Sequence, residues 1–557
     1  MKTVSKVAKV VGVAAGIALI ASGAGAPLGA GILASTQALT AISVGAALVG
    51  GVAGSLSRPK VQPPLAIGNV TEFRYQAEAG IPIIVGRSLY AGIPVHRDGY
   101  PAGATPTPNP YLSYVIDYSI GPVEGLESFI VDDEPVVFAG GAATGKYAGF
   151  MWLASQLGAT PEPAALAAPF AGIEGWDAGS KLSGHAAVLW TCKFDAAERE
   201  GRLFANGEPV PKAIWKGVKA YDPRKDTTYP GGAGAHRPDN PATWEWSANP
   251  GVVALQWALG WKQQGVLVGG CGYPIAGIDV AAFVECANVC DANGWTLGGV
   301  VSTLDGKWQV LKSILQAGGA EPVRLGAALS CIVQTPRVIL ATIAAGDVTG
   351  RIAPDGSTPR RIRKNSIVPR YTSADHDWQQ VQAAAMTLAD FVAADGGLRR
   401  EEVAYPLVQD VHQASQLAYY EIYNRRELPL TIDGLKPRWL GYKPGDALAV
   451  ALPEAGYVSQ PAIVRKRAID PQTGEVAMEL VTETEAKHAA ALALSGTPPP
   501  TPALSSDDFR TFPTPEIADW TVTGVTLSSP GGSIPALVAA GAATNANAAF
   551  VIFEYRV

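Results

Sequence analysis

Charge is what this chain has least of. Asp, Glu, Lys and Arg make up 17% of its 557 residues, against roughly 25% in an average globular protein. With 43 Lys and Arg against 49 Asp and Glu, the formal charge is −6. That balance excludes a mainly electrostatic nucleic-acid binder, whose affinity needs an excess of cations facing the phosphates, so no specific nucleic-acid binding is expected. Cysteine is also sparse: Cys192, Cys271, Cys286, Cys290 and Cys331 are too few and too odd in number for a disulfide scaffold of this length. They suit a chain made in a reducing compartment. The six histidines, His96, His185, His236, His376, His412 and His488, are scattered, and no HExxH, CxxC or GxSxG string occurs. No repeat at a solenoid or propeller period is visible either. Apolar residues, by contrast, reach 48%, with 62 Gly, 43 Pro, 13 Trp and 18 Tyr. This composition excludes a disordered polyelectrolyte and describes a turn-rich, mainly β chain of about three to five domains.

The absence of charge is complete between Lys9 and Arg58, where no Asp, Glu, Lys, Arg or His occurs. Three readings of this Gly/Ala-rich segment stay open. Lys2, Lys6 and Lys9, the apolar run 10–21 and Ala24-Gly25-Ala26 have the three parts of a signal peptide. The stretch is also long enough to cross a bilayer twice, turning near Pro27, which would make residues 10–57 a contact with a membrane. Alternatively it forms two helices buried in an assembly, where the spacings Gly12 to Gly16 and Gly50 to Gly54 favour close packing.

Composition shifts divide the chain into a hydrophobic segment 1–58, β-rich residues 59–276, an α/β module 277–345, a second β-rich part with a long helix 346–495, a Pro-rich linker 496–506 and a short β segment 507–557. Strands are expected at 111–120, 128–138 and 186–193, and an Ala-rich helix within 146–185. A short helix is expected at 249–259. In the module, Asp279 can cap a helix with Val280, Phe283, Val284, Ala287 and Cys290 on one face and Gly294 at its end. Thr303 or Asp305 starts a second, with Trp308, Leu311, Ile314 and Leu315 as its apolar stripe. Strands are read at 295–302, 327–333 and 338–343. Leu407, Val411, Ala414, Ala418 and Ile422 recur at helical spacing. Strands follow at 428–432, 447–452, 462–470 and 475–482, and the run 549–556 is strand-like.

Candidate chemistry is thin. Gly140-Gly141-Ala142-Ala143-Thr144-Gly145-Lys146-Tyr147 nearly matches a phosphate-binding loop, but Tyr147 stands where a Ser or Thr would hold Mg²⁺. It reads as a Gly-rich loop. Cys286 and Cys290 supply two thiols, and two ligands do not close a zinc site, so both read as small buried apolar residues. Asp132-Asp133 and Glu401-Glu402 read as solvated turns or helix starts, and Arg360, Arg361, Arg363 and Lys364 as an exposed strand face. No catalytic, cofactor-binding or metal-ligating residue is nominated, no cofactor is expected, and the chain reads as a non-enzyme.

Several strings carry more information than the chemistry. Val115-Ile116-Asp117-Tyr118-Ser119-Ile120-Gly121-Pro122-Val123-Glu124-Gly125-Leu126-Glu127-Ser128 resembles the early block of lambda-type phage tail tip attachment proteins, also called host specificity proteins. In the same order, 279–283 through Cys290-Asp291, 308–317, 371–378, 412–425, 430–435 and Lys443-Pro444-Gly445-Asp446-Ala447-Leu448 resemble that family's following helices, strand and turn. The resemblance covers roughly residues 111–485. It implies a structural protein of a long non-contractile tail, located in the virion at the distal tip after assembly in the host cytoplasm. It further implies a homotrimeric hub of baseplate-hub-like β-barrel domains with an α/β insertion at 277–345. Such a hub contacts distal tail and tail tube proteins and the tape measure protein, and opens for DNA ejection on host contact. The chain departs from the family by its long stretch before Gly121 and by its short β segment after the linker, so receptor binding falls to separate fibres. The alternative reading is a membrane-anchored or secreted cell-envelope protein, with residues 1–57 as signal or anchor.

Overall fold

A computed structural model describes residues 79–500, apart from 102–108, 195–202, 205–206, 355 and 357, together with 520–529 and 532–541. The apolar segment 10–57 and the strand-like run 549–556 lie outside the described residues. The chain divides into two compact units, Met1–Pro499 and Pro500–Val557.

In the first unit the described chain enters on the strand Pro82–Tyr90, whose side chains are buried on both faces apart from Arg87. Such a strand needs neighbours on both edges and cover on both sides. It pairs antiparallel with Pro211–Ala220 on one edge and with Gly298–Ser302 on the other. Val123–Val131 and Glu134–Val136 extend this first sheet beyond Pro211–Ala220. A second sheet runs Ile93–Tyr100, Tyr111–Ile120, His185–Lys193, Met151–Leu157 and the short pair Ala142–Ala143 and Phe138–Ala139. Tyr111–Ile120 and Val123–Val131 are consecutive yet belong to different sheets, so the Gly121-Pro122 corner is where the chain changes layer. Side chains from both sheets meet there, with Tyr118 buried against Trp215 at 5.3 Å between ring centroids and Trp190 against Phe129 at 5.7 Å. Gly121 is required at the corner, because a Cβ on it would stand 2.5 Å from the Gly158 backbone.

Six α-helices occur among the described residues. α1 (Pro250–Leu259) is capped by Asn249, whose side chain accepts from Gly251 N–H, and is buried all round. α2 (Val280–Asn293) ends on Gly294 in the left-handed conformation. α3 (Lys307–Ala317), α4 (Ala389–Asp395), α5 (Val411–Asn424) and α6 (Ala486–Leu492) follow. α5 opens on Asp410, which accepts from Gln413 N–H at 2.7 Å, and buries Ala414, Ala418 and Ile422 as their spacing requires. These helices and the first two sheets share one large apolar core running from Ile83 to Ala491.

A second core fills the six-stranded sheet Ile339–Ala344, Ala447–Leu452, Tyr457–Ile469, Val476–Thr482, Pro429–Leu435 and Ile352–Pro354. All its pairings are antiparallel except the first, which is parallel. A four-stranded sheet is centred on Ser366–Ser373, paired with Gln379–Gln382, Met386–Thr387 and, in parallel, Arg400–Tyr405. The molecule is thus mainly β with helices and an α/β region, as the sequence implies. The sheets are open, however, and among the described residues none closes into a barrel.

Local expectations failed for physical reasons. Residues 146–185 hold the strand Met151–Leu157 and turns, with no α-helix, since Pro161, Pro163 and Pro169 each remove a backbone donor. The strand read at 128–138 is broken by Asp132 and Asp133, both in the left-handed region with φ of 49° and 67°. Asp279 precedes α2 without capping it, because its carboxylate takes Ser330 Oγ at 3.0 Å and Lys443 Nζ at 3.1 Å. Within residues 277–345, Gly298–Ser302 pairs in the first sheet and Ile339–Ala344 in the second core's sheet. In the second unit Trp520–Ser529 and Gly532–Gly541 form an antiparallel hairpin.

Candidate functional site

α3 and α5 diverge where Gly319 turns the chain out of α3, and between them a cleft of about 720 Å³ opens. Trp308, Gln309, Lys312 and Gln316 of α3 form one wall, Tyr420, Glu421 and Asn424 of α5 with Arg425 at its C-terminal end form the other, and Glu321, Gln334, Tyr405 and Arg465 are among the residues between them. Its size is that of a small-molecule site. Trp308 was expected in the apolar stripe of α3, and here the structure differs. Leu311, Ile314 and Leu315 are buried, while Trp308 is 36% exposed and lines the cleft under Arg324, 5.7 Å from the ring centroid. A position one residue into a helix faces the core only partly, which the stripe pattern could not resolve.

Two of the three cations in the cleft are held by carboxylates, and the third, Lys312, is exposed. Arg425 bonds Glu421 at 2.7 Å and Glu401 at 2.8 Å, and Arg465 pairs with Glu321. Burial works against the charged form of Arg425, yet the two glutamates outweigh it and raise its pKa. Tyr405 is buried, its hydroxyl has no hydrogen-bond partner, and desolvation pushes its pKa well up.

Beside the cleft, a buried polar cluster joins α5, α6 and the second core. Lys487 Nζ bonds Glu483 Oε2 at 2.9 Å and Asn424 Oδ1 at 3.2 Å; His488 Nε2 lies 2.8 Å from Glu483 Oε1, and its Nδ1 3.2 Å from the Tyr420 hydroxyl. Glu427 accepts from Thr484 N–H at 2.9 Å and from the Thr482 hydroxyl at 2.5 Å. Burial alone would raise Glu483, but His488 and Lys487 hold it below the usual carboxylate value. No sequence motif marks this cluster, since its members come from residues 420–488 of different elements.

The other sequence candidates remain apart. Lys146 bonds Glu134 at 2.6 Å and Tyr147 stacks on Phe204, in a hairpin followed by a single helical turn, so the strand-loop-helix context of a phosphate site is missing. Cys286 and Cys290 are buried in the core, and hydrogen bonding between them together with burial raises the Cys290 thiol. No group of three His, Cys, Asp or Glu residues placed to hold a metal occurs among the described residues. Asp132 accepts from Val210 N–H and Asp133 pairs with Lys212. Glu401 faces Arg425 and Lys364, whereas Glu402 faces Arg370. The basic run is a turn, with Arg363 and Lys364 spent on Asp395 and Glu401. His185 bonds buried Asp117 at 3.0 Å, Ser373 bonds His376 at 2.9 Å within one turn, and His412 accepts from Gly496 N–H. No described helix is long and apolar enough to cross a membrane.

No known family model matches the chain, and no curated protein does. Among solved structures, a chain from the virion of a native gene transfer agent particle is similar at 16% identity and a TM-score of 0.49, over 80% of this chain and 97% of that one. The 43 kDa tail protein of prophage MuSo2 from Shewanella oneidensis aligns at 10% identity and a TM-score of 0.26, over 74% of this chain and 96% of that one. Prophage tail protein gp18 from Listeria monocytogenes EGD-e aligns at 13% and 0.23, over 35% and 59%.

Proposed function

We propose that this chain is a structural protein of a long non-contractile phage tail, acting as the hub at its distal tip by assembly and opening rather than by catalysis. The observation that carries the reading is the collinear set of strings resembling the lambda-type tail tip proteins, of which all but 371–378 fall on a structural feature of their own. The Val115–Ser128 block spans the corner between the first two sheets, 279–291 is α2, 308–317 is α3, 412–425 is α5, 430–435 lies in a core strand, and Lys443–Leu448 is the turn into Ala447–Leu452. On this reading residues 59–276 and 346–495 form the body, 277–345 is set into it, and 507–557 follows a Pro-rich linker. The hub is a homotrimer that contacts tail tube and distal tail proteins, the tape measure protein and separate fibres.

Immunogold electron microscopy of lysates, with antibody raised against residues 66–495, tests this. Gold is expected at tail tips; gold on cell envelopes with bare particles sinks it. The uncharged run 10–57 favours a second reading, a cell-envelope protein anchored by that segment. Mass spectrometry of the mature chain bears on it, because retention of residues 1–26 excludes cleavage there.

A further inference from the structure

We infer that the cleft between α3 and α5 is a binding site for a neutral, polyhydroxylated ring compound, an oligosaccharide in chemical class. Four observations converge. First, its volume of about 720 Å³ lies within the roughly 300–1,000 Å³ of small-ligand sites. Second, two of its three cations already face carboxylates, Arg425 those of Glu421 and Glu401 and Arg465 that of Glu321, and the third, Lys312, stands at the exposed rim. A charged group inside the cleft would have to break those pairs, whereas a neutral one gains hydrogen bonds from them without doing so. Third, the remaining polar lining is rich in amides, Gln309, Gln316, Gln334 and Asn424. An amide both donates and accepts, which is the match for a hydroxyl group, itself donor and acceptor. Fourth, the site offers an aromatic plate. Trp308 is partly exposed at the wall and steadied by Arg324. A flat indole face packs against the C–H face of a sugar ring by the same apolar contact that it makes in cores.

The full-length chain and its variants are applied to an array of immobilised neutral and acidic glycans, and the best neutral hit is titrated by calorimetry as the free oligosaccharide. Retention by one or more neutral glycans is expected. Trp308→Ala should weaken the calorimetric affinity by about tenfold, equivalent to 1.4 kcal/mol, while the variant keeps a cooperative thermal transition. Absence of any neutral glycan from the retained set overturns the inference, as does a preference for acidic glycans or an affinity that Trp308→Ala leaves unchanged. The array reads binding and gold labelling reads location, so failure of either leaves the other reading intact.

Discussion

Arg426, just past the end of α5, reaches the carboxylate of Asp395, which is 1% exposed and also faces Asn365 Nδ2 at 3.0 Å, Arg363 at 3.8 Å and Arg399 at 3.9 Å. Arg426 also lies over the Phe391 ring, 4.0 Å from its centroid. Removing one partner of a buried pair leaves an uncompensated charge, at about 3–5 kcal/mol. Because two arginines remain, Arg426→Met should cost about 3 kcal/mol in denaturant unfolding. Burial alone would raise Asp395, but Asn365 and Arg426 outweigh it and hold its pKa below the ordinary value. A carboxylate depressed in the fold contributes stability that is present above its unfolded pKa of about 3.9 and is lost as pH falls through the folded value. The urea midpoint should therefore drop below about pH 4, and the wild-type-minus-Asp395→Asn difference should shrink over the same window. Asp117 has the opposite sign, its pKa raised by burial, so that difference, not the raw curve, isolates Asp395. None of this was legible in the sequence. Arg360, Arg361, Arg363 and Lys364 look like one surface run, and only the fold shows Arg363 and Lys364 turned toward acids from other segments.

At the scale of elements, the Gly121 corner and α5 give contrasting lessons. A Cβ at Gly121 would stand 2.5 Å from Gly158 backbone, whereas at Gly125, four residues on, nothing lies within 4 Å. Gly121→Ala should thus destabilise by about 1–3 kcal/mol, and Gly125→Ala should stay within about 0.5 kcal/mol of wild type, both measured by urea unfolding. α5 was legible because its apolar positions repeat at helical spacing, although Leu407, read as its first apolar position, precedes the cap at Asp410. Tyr111–Ile120 was legible as an apolar run closed by Gly-Pro. Residues 146–185 misled, because alanine favours a helix by propensity while Pro161, Pro163 and Pro169 forbid one by geometry. Asp279 misled differently. It stands where a cap belongs, but Ser330 and Lys443, distant in sequence, claim its carboxylate.

For the whole molecule, the two largest apolar cores of the described residues run from Ile83 to Ala491 and from Ile343 to Leu480. The mainly β character followed from composition, but strand partners did not. An apolar run shows that it will be buried, not against which other run, and here Pro82–Gly86 takes Gly298–Ser302 while Ile339–Ala344 takes Ala447–Leu452 in parallel. The first of these pairings has a consequence for how the protein is made. Pro82 bonds opposite Ser302, so that edge of the strand has no native partner until the chain between them has left the ribosome. At ~5–20 residues per second, an apolar strand edge stands open in the nascent chain for on the order of 10–40 s. During that interval other nascent copies on the same message compete for it, and slowing or crowding translation upstream of Ser302 is where the yield of soluble protein is decided.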